Sequence, residues 1–398
     1  MKRKRTLVQV NIPEDVVVEE ILEKLPVKSV LRFRAVSKVW RREIESRRFQ
    51  ERHLKHEQKS REPSIVLVKR RLYDSGEAGL TTLSLGQTSV SLDNHIHYPA
   101  VLNPEQLGRF EFVRITRSCD GLVCLYSENY FMLSENTCMY VINPATRWYR
   151  QLPEARFQAL APDRDPMIRF SYPLLGFGKD DITGIHKLVW LYNSDCLDLD
   201  GQTNTCEVFS LDDTNNTNWN WRHDVIVSCP HPILHGKYPA HVHGSLHWFI
   251  DAGTQVQVLS LHLHTETFMV MDKIPVASAP HGCITMCTLN NRLCLSEDKG
   301  DTQTIWSFHQ DNMAWHKTYV IDLRSTLSAC IEEEYRFTTP PLASLLDHRL
   351  LIFDSSDSHT TNLVRYNPTS KSFSQFLNAT SYCLAGAISY SQSLISLP

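Results

Sequence analysis

The sequence predicts a small all-α head of three helices followed by an all-β domain folded as a six-bladed β-propeller. Three observations lead there. Apolar residues recur at helical spacing between Pro13 and Phe49, and from about Ser64 onward they alternate with period two in short runs separated by turn residues. The strand-rich part also repeats itself weakly at intervals of about 45 to 65 residues, the size of a four-stranded blade with loop insertions. A β-sandwich or a pair of smaller β domains is the competing arrangement of the same strands.

Composition narrows the class. A length of 398 residues favours two domains or one large all-β domain, while 42% hydrophobic and 21% charged residues with only 15 Gly exclude collagen and a disordered polymer. No apolar run approaches the roughly 18 residues that span a bilayer, and the basic N-terminus leads into Asn11 and Ile12 without an apolar signal-peptide core. The expectation is an intracellular protein without a membrane partner. Eleven cysteines scattered from Cys119 to Cys383 then read as reduced core thiols. The net charge of -3 hides an asymmetry: residues 1–62 hold 17 Lys and Arg against 10 Asp and Glu, whereas the remainder holds 24 against 34. An acidic body disfavours nucleic acid. Lys2 to Arg5 suit either a nuclear import signal or a solvated tail, which leaves nucleus and cytoplasm both open.

Within the head, Pro13 precedes an acidic first turn, Glu14 and Asp15, where carboxylates favour the helix dipole. Val18, Ile21, Leu22 and Leu25 follow until Pro26 stops the helix after about three turns. Ser29 is placed to cap a second helix carrying Val30, Leu31 and Phe33, and Ser37 a third carrying Trp40 and Ile44. Some forty residues enclose too little core to stand alone, so the apolar faces need a partner. Residues 50–63, rich in Lys, Arg, Glu and His, read as a connector that can continue the last helix for a turn or two before Pro63 ends it. The resulting division is a basic tail over 1–8, the helical head over 9–50, a linker over 51–63 and the β domain over 64–398.

Two units recur in the β domain. The first is a small or turn residue before an apolar run, starting at Asp120, Gly184, His243, Asn290 and Asp347. The second is a strand ending in a polar turn and an aromatic, reaching Trp148, Trp219, Phe268, Trp315 and Phe373. Each sheet has apolar faces that only a neighbour can cover, which favours a closed ring. Leftover strands at residues 65–68, 80–85 and 383–397 are expected to build a joint blade that closes it.

Residues 11–49, with the run Leu25-Pro26-Val27-Lys28-Ser29-Val30-Leu31-Arg32-Phe33-Arg34-Ala35-Val36 and the following Trp40, resemble an F-box. The body resembles the F-box-associated domain of plant F-box proteins, a kelch-like β-propeller, in residues 118–124, 142–146, 175–178 and 243–248. The resemblance implies a non-catalytic substrate receptor of a SKP-cullin-F-box ubiquitin ligase that needs no cofactor. Its F-box would dock a SKP-type adaptor, and through it cullin and RING subunits, while the β domain would bind a protein for ubiquitination. Adaptor contacts carry over to Ile12, Pro13, Ile21, Leu22, Leu25, Pro26, Leu31, Val36 and Trp40. Ile12 replaces the usual Leu, a near-isosteric change, and Ser37 stands where Cys is frequent. A basic head with bare apolar stripes suits an acidic helical partner on physical grounds as well. The alternative is a non-degradative propeller scaffold whose helical head docks elsewhere.

Other chemistry is weaker. His241 with His243, and His262 with His264, place pairs on one strand face with His235 and His247 nearby in sequence, but no close Cys-x-x-Cys or His-Glu-x-x-His accompanies them and no metal is expected. Gly176-Phe177-Gly178-Lys179 lacks the rest of a phosphate loop, and no nucleophile elbow is present. The long insertion between Asp212 and Pro239 carries the expected substrate-binding patch: Trp219, Trp221, Arg222, His235 and Tyr238. The competing reading makes both tryptophans blade core, Trp219 standing where the repeat places its closing aromatic.

Overall fold

A computed structural model describes residues 17–69, 79–85, 90–97, 113–127, 139–160, 173–197, 203–211, 220–271, 273–323, 343–345, 350–354, 360–380 and 384–397. The described head opens with a π-helical turn, Val17–Ile21, and a 3-10 turn, Leu22–Lys24. Helix α1, Val27–Phe33, starts at Pro26, whose carbonyl accepts the amides of Ser29 and Val30 at 2.8 and 3.1 Å. Ser29 therefore lies inside the first turn and does not cap it, because the proline already fixes the entry into the helix. Helix α2, Lys38–Glu45, opens as expected on Ser37, whose Oγ accepts the Trp40 amide at 3.0 Å. Extended backbone at Ser46 then breaks the chain, and the Ser46 Oγ accepts the Phe49 amide to start α3, Arg47–Ser60. The segment expected to connect the domains is thus a helix in its own right as far as Ser60.

The β domain consists of antiparallel meanders. Strands β4 (Val113–Ile115), β5 (Val123–Ser127), β6 (Met139–Asn143) and β7 (Trp148–Gln151) form one four-stranded sheet in chain order. The short helix α4, Arg156–Leu160, follows it. Strands β8 (Gly176–Lys179), β9 (His186–Asn193) and β10 (Asn204–Ser210) form a three-stranded sheet. Next come β11 (Ala240–Val242), β12 (Ser245–Asp251), β13 (Val256–His262) and β14 (Thr267–Met271). Strands β15 (Ile284–Leu289), β16 (Arg292–Asp298), β17 (Thr302–His309) and β18 (Ala314–Asp322) form another sheet. So do β19 (Ala343–Leu345), β20 (Leu350–Asp354), β21 (Thr360–Asn367) and β22 (Ser372–Thr380). The last sheet joins the two ends of the domain: β23 (Leu384–Tyr390) pairs with β1 (Ser64–Lys69), which continues into β2 (Gly79–Leu85) and β3 (Val90–His97).

Among the described residues there are five four-stranded blades, which corrects the expectation of six. The shortfall lies at the three-stranded sheet. On the outer side of β10 the chain returns only as a single bridge, Val208 and Arg222 exchanging amide and carbonyl at 2.8 Å in both directions. The segment beyond it contains Pro230, Pro232 and Pro239 and lacks strand alternation, so it supplies no continuous ladder. Trp219, the expected closing aromatic, lies outside the described residues.

Sheets bury both faces against their neighbours. On β9, Leu188, Trp190 and Tyr192 pack with Cys124, Tyr126 and Val141 of the preceding sheet, while Val189 and Leu191 pack with Leu246, Trp248 and Ile250 of the following one. Two covered faces explain why His186–Asn193 reads as a continuous apolar run. The recurring turn residues are equally physical. Asp120 and Gly121, His243 and Gly244, and Asn290 and Asn291 all take positive φ at the hairpins leading into β5, β12 and β16, and Arg147, Glu266, Met313 and Lys371 do so ahead of the blades' outer strands.

Candidate functional site

The head has one apolar core and an incomplete cover. Leu22, Val27, Val30, Ile44 and Phe49 are buried together, with Leu25, Leu31, Phe33 and Trp40 half-buried around them. Ring centroids of Phe33 and Trp40 meet edge-on at 5.7 Å. What remains outside is apolar too: Ile21 is 43% exposed, Val36 60% and Val39 45%, and Pro26 is exposed as well. Of the adaptor contacts expected from the sequence, Leu22 is corrected to core at 1% exposure, since its side chain is sealed under α1 and α3. Ile12 and Pro13 lie outside the described residues. Val39 is an addition; its spacing of three from Val36 across the Ser37 cap was the available signal.

Helix α3 holds the turn over 22–25 in place. His53, fully buried, donates from Nε2 to the Leu25 carbonyl at 2.8 Å, and Arg61 donates to the Lys24 carbonyl at 3.1 Å. Arg52 binds Glu19 at 2.9 Å and Glu23 at 2.8 Å. Burial pushes the His53 pKa down, which keeps the ring neutral and its Nε2 a donor.

The β domain completes the head. Leu394, from the segment after β23, is buried in the head core, and Ala145, from the turn between β6 and β7, packs against it. Asn143 sets both. Its Nδ2 donates to the carbonyls of Ser393 and Ile395 at 3.0 and 2.8 Å, and its Oδ1 accepts the amides of Ala145 and Thr146 at 2.9 and 3.3 Å. Leu54, on the other side of α3, enters the core of the β domain beside Cys119 and Leu122.

The expected substrate patch is not assembled. Trp221 is 7% exposed, donates from Nε1 to the Pro153 carbonyl at 2.9 Å and packs on Phe209 at 5.3 Å, so it is blade core. Arg222 is half-exposed and bound to Glu266 at 2.5 Å. His235 is turned inward, where its Nε2 accepts from Asn193 Nδ2 at 2.7 Å and burial lowers its pKa to about 4. Tyr238 has a different partner, its ring under the Arg117 guanidinium at 5.4 Å.

The histidine pairs are likewise engaged separately. The Lys179 amide donates to His241 Nε2 at 3.1 Å, His264 Nδ1 meets Asp180 at 3.0 Å, and His262 Nδ1 meets Thr265 at 3.0 Å. Among the described residues no three His, Cys, Asp or Glu side chains converge as a metal site would require. Cys119 lies 3.9 Å from His241, yet burial pushes its thiol far up, against thiolate chemistry. No helix of the described residues is long and apolar enough to cross a membrane.

Comparison with known proteins agrees with this architecture. Residues 11–52 match the F-box domain and residues 80–397 the F-box associated beta propeller domain. The F-box protein At5g10340 of Arabidopsis thaliana is 38% identical over 416 aligned positions that cover all of this chain and 87% of the relative. The F-box/LRR-repeat/kelch-repeat protein At1g09650 of the same plant is 41% identical over 82% of this chain and 81% of its own length. F-box protein At2g34280, also from Arabidopsis thaliana, is 36% identical over 97% of this chain and 99% of the relative. An F-box in front of a propeller has the general role of a ubiquitin-ligase substrate receptor, the F-box supplying the contact with a SKP-type adaptor. With an apolar face left bare on a short helical head and meandering sheets behind it, the chain belongs to the F-box proteins that carry an F-box associated β-propeller domain.

Proposed function

We propose that this chain is a non-catalytic receptor whose head docks a SKP-type adaptor through Ile21, Leu25, Pro26, Leu31, Val36, Val39 and Trp40, while its β domain holds a target protein for ubiquitination. The functional division is a head over 9–50 and a target-binding domain over 64–398, with α3 as a rigid brace across the boundary. The observation that supports docking is the bare apolar surface of the head, with Val36 60% and Val39 45% exposed beside a core too small to cover them. Kelch-like character of the blades belongs to the same proposal, supported by the kelch-repeat name of one relative.

The test is a pull-down of a SKP-type adaptor by the full chain and by a Val36→Glu, Val39→Glu double variant. Both positions are exposed, so the variant keeps its thermal melt, while loss of apolar burial and insertion of two charges should weaken adaptor binding by ~2–4 kcal/mol. Adaptor capture at wild-type strength would sink the assignment.

A further inference from the structure

Where β11, β15 and β23 approach the helical head, a cavity of about 180 Å³ opens between them and α3. Its wall includes Gln58 of α3, Arg117 and Ser118 after β4, Thr288 of β15, and Ser389 and Ser391 at the end of β23. The charged lining side chains are Arg117 and Asp120. Asp120 is already satisfied, since Lys179 Nζ donates to it at 2.8 Å and His186 Nε2 approaches at 3.2 Å. Burial opposes ionisation of Asp120, but the His186 hydrogen bond and the Lys179 charge outweigh it and hold the carboxyl well below its usual range. His241, also in the wall, is kept neutral by burial.

Arg117 is different. Its guanidinium stands 5.4 Å from the centre of the Tyr238 ring and, among the described residues, has no hydrogen-bonded or ion-paired acceptor. A ring face orients a guanidinium without neutralising it, and among the described residues no acceptor takes any of its five N–H donors. Gln58, Ser118, Ser389 and Ser391 add polar side chains around that cation. The volume is below the ~300–1,000 Å³ of pockets for drug-sized ligands, so the occupant is a small solute and not a peptide.

We infer that this pocket binds a small solute bearing a carboxylate or phosphate group, with Arg117 as the cationic anchor. A planar guanidinium matches either oxyanion with two parallel hydrogen bonds. Because Gln58 belongs to α3 and the other walls belong to the β domain, the bound solute would also tie the head to the blades.

The experiment is isothermal titration of the full chain with sodium citrate and, separately, sodium phosphate, each against sodium chloride of equal ionic strength. Saturable one-to-one binding of at least one anion with Kd of ~1 mM or tighter is expected, and the preferred anion tells carboxylate from phosphate. Arg117→Gln should weaken that binding at least about tenfold while leaving the melt in chloride unchanged, and Arg117→Lys should fall between. Lys299→Gln, on the remote β16–β17 hairpin, should bind like the wild type. Gln58→Leu probes the opposite wall and should weaken binding even if Arg117→Gln fails to fold. The inference is overturned if neither anion binds the wild type above the chloride control, or if whichever of the Arg117→Gln and Gln58→Leu variants fold bind as tightly as it does.

Discussion

Trp221 shows how one side chain can carry two meanings in a sequence. Tryptophan is enriched in binding hot spots and buries more area than any other core residue, so an irregular insertion holding Trp221 and Arg222 is equally consistent with a surface patch. The deciding facts are its bond to the Pro153 carbonyl, 68 positions away, and its contact with Phe209 on β10. Trp221→Ala should accordingly cost ~3–5 kcal/mol in a urea titration, the usual loss for emptying a buried aromatic site. A denaturation midpoint equal to that of the wild type would return the residue to the surface. Asn143 was easier to notice and harder to explain. Its place in the Ile142-Asn143-Pro144-Ala145-Thr146 motif stands out in the sequence, but its clamp on Ser393 and Ile395 spans some 250 positions and requires the fold to be seen. Gly121 is similar: at φ +79 a Cβ there would lie 2.5 Å from the Ser391 carbonyl oxygen, a clash that no local pattern announces.

Among the elements, α3 is the one that sequence periodicity conceals. Its stretch Arg-Arg-Phe-Gln-Glu-Arg-His-Leu-Lys-His-Glu-Gln-Lys-Ser has only Phe49 and Leu54 as apolar anchors, and these serve two different cores. Helical order comes instead from the Ser46 cap and from pairs four apart, Arg47 with Glu51 at 2.7 Å and Arg61 with Glu57 at 3.1 Å. The β-hairpins were legible for the opposite reason: Asp-Gly, His-Gly and Asn-Asn pairs satisfy a local φ requirement that needs no tertiary information. The same helix holds a pH-sensitive group. Burial raises the Glu57 carboxyl from 4.5 to about 7, against the pull of Arg61. Between those values the folded chain keeps a proton that the unfolded chain has released, so stability is higher below pH 4.5 and declines as pH rises through 7. Glu57→Gln removes the titration, and the drop in melting temperature between pH 5 and pH 8 should shrink relative to wild type. An unchanged drop in thermal melts across that range would mean that Glu57 ionises freely in the folded chain.

At the scale of the molecule, the two ends of the β domain meet in one sheet, with Ser64 opposite Tyr390 and Val68 opposite Gly386. Apolar runs near both ends made this closure legible, whereas the three-stranded sheet was hidden because a blade's missing strand leaves the spacing of its neighbours intact. Removing residues 384–398 strips β23 from β1 and withdraws Leu394 from the head core. The truncated chain should aggregate in size-exclusion chromatography and lose its cooperative melt, as expected of an uncovered strand edge. A soluble monomer with the wild-type transition would show that the sheet does not need its last strand. The position of Leu394 also orders events during synthesis. The helices of the head leave the ribosome well before the β domain, yet their core waits on the order of tens of seconds for a leucine far downstream of Phe49. A chain interrupted before Leu394 therefore carries a head that lacks one of its core side chains. Complete packing of the head is in this way reserved for polypeptides read through Leu394.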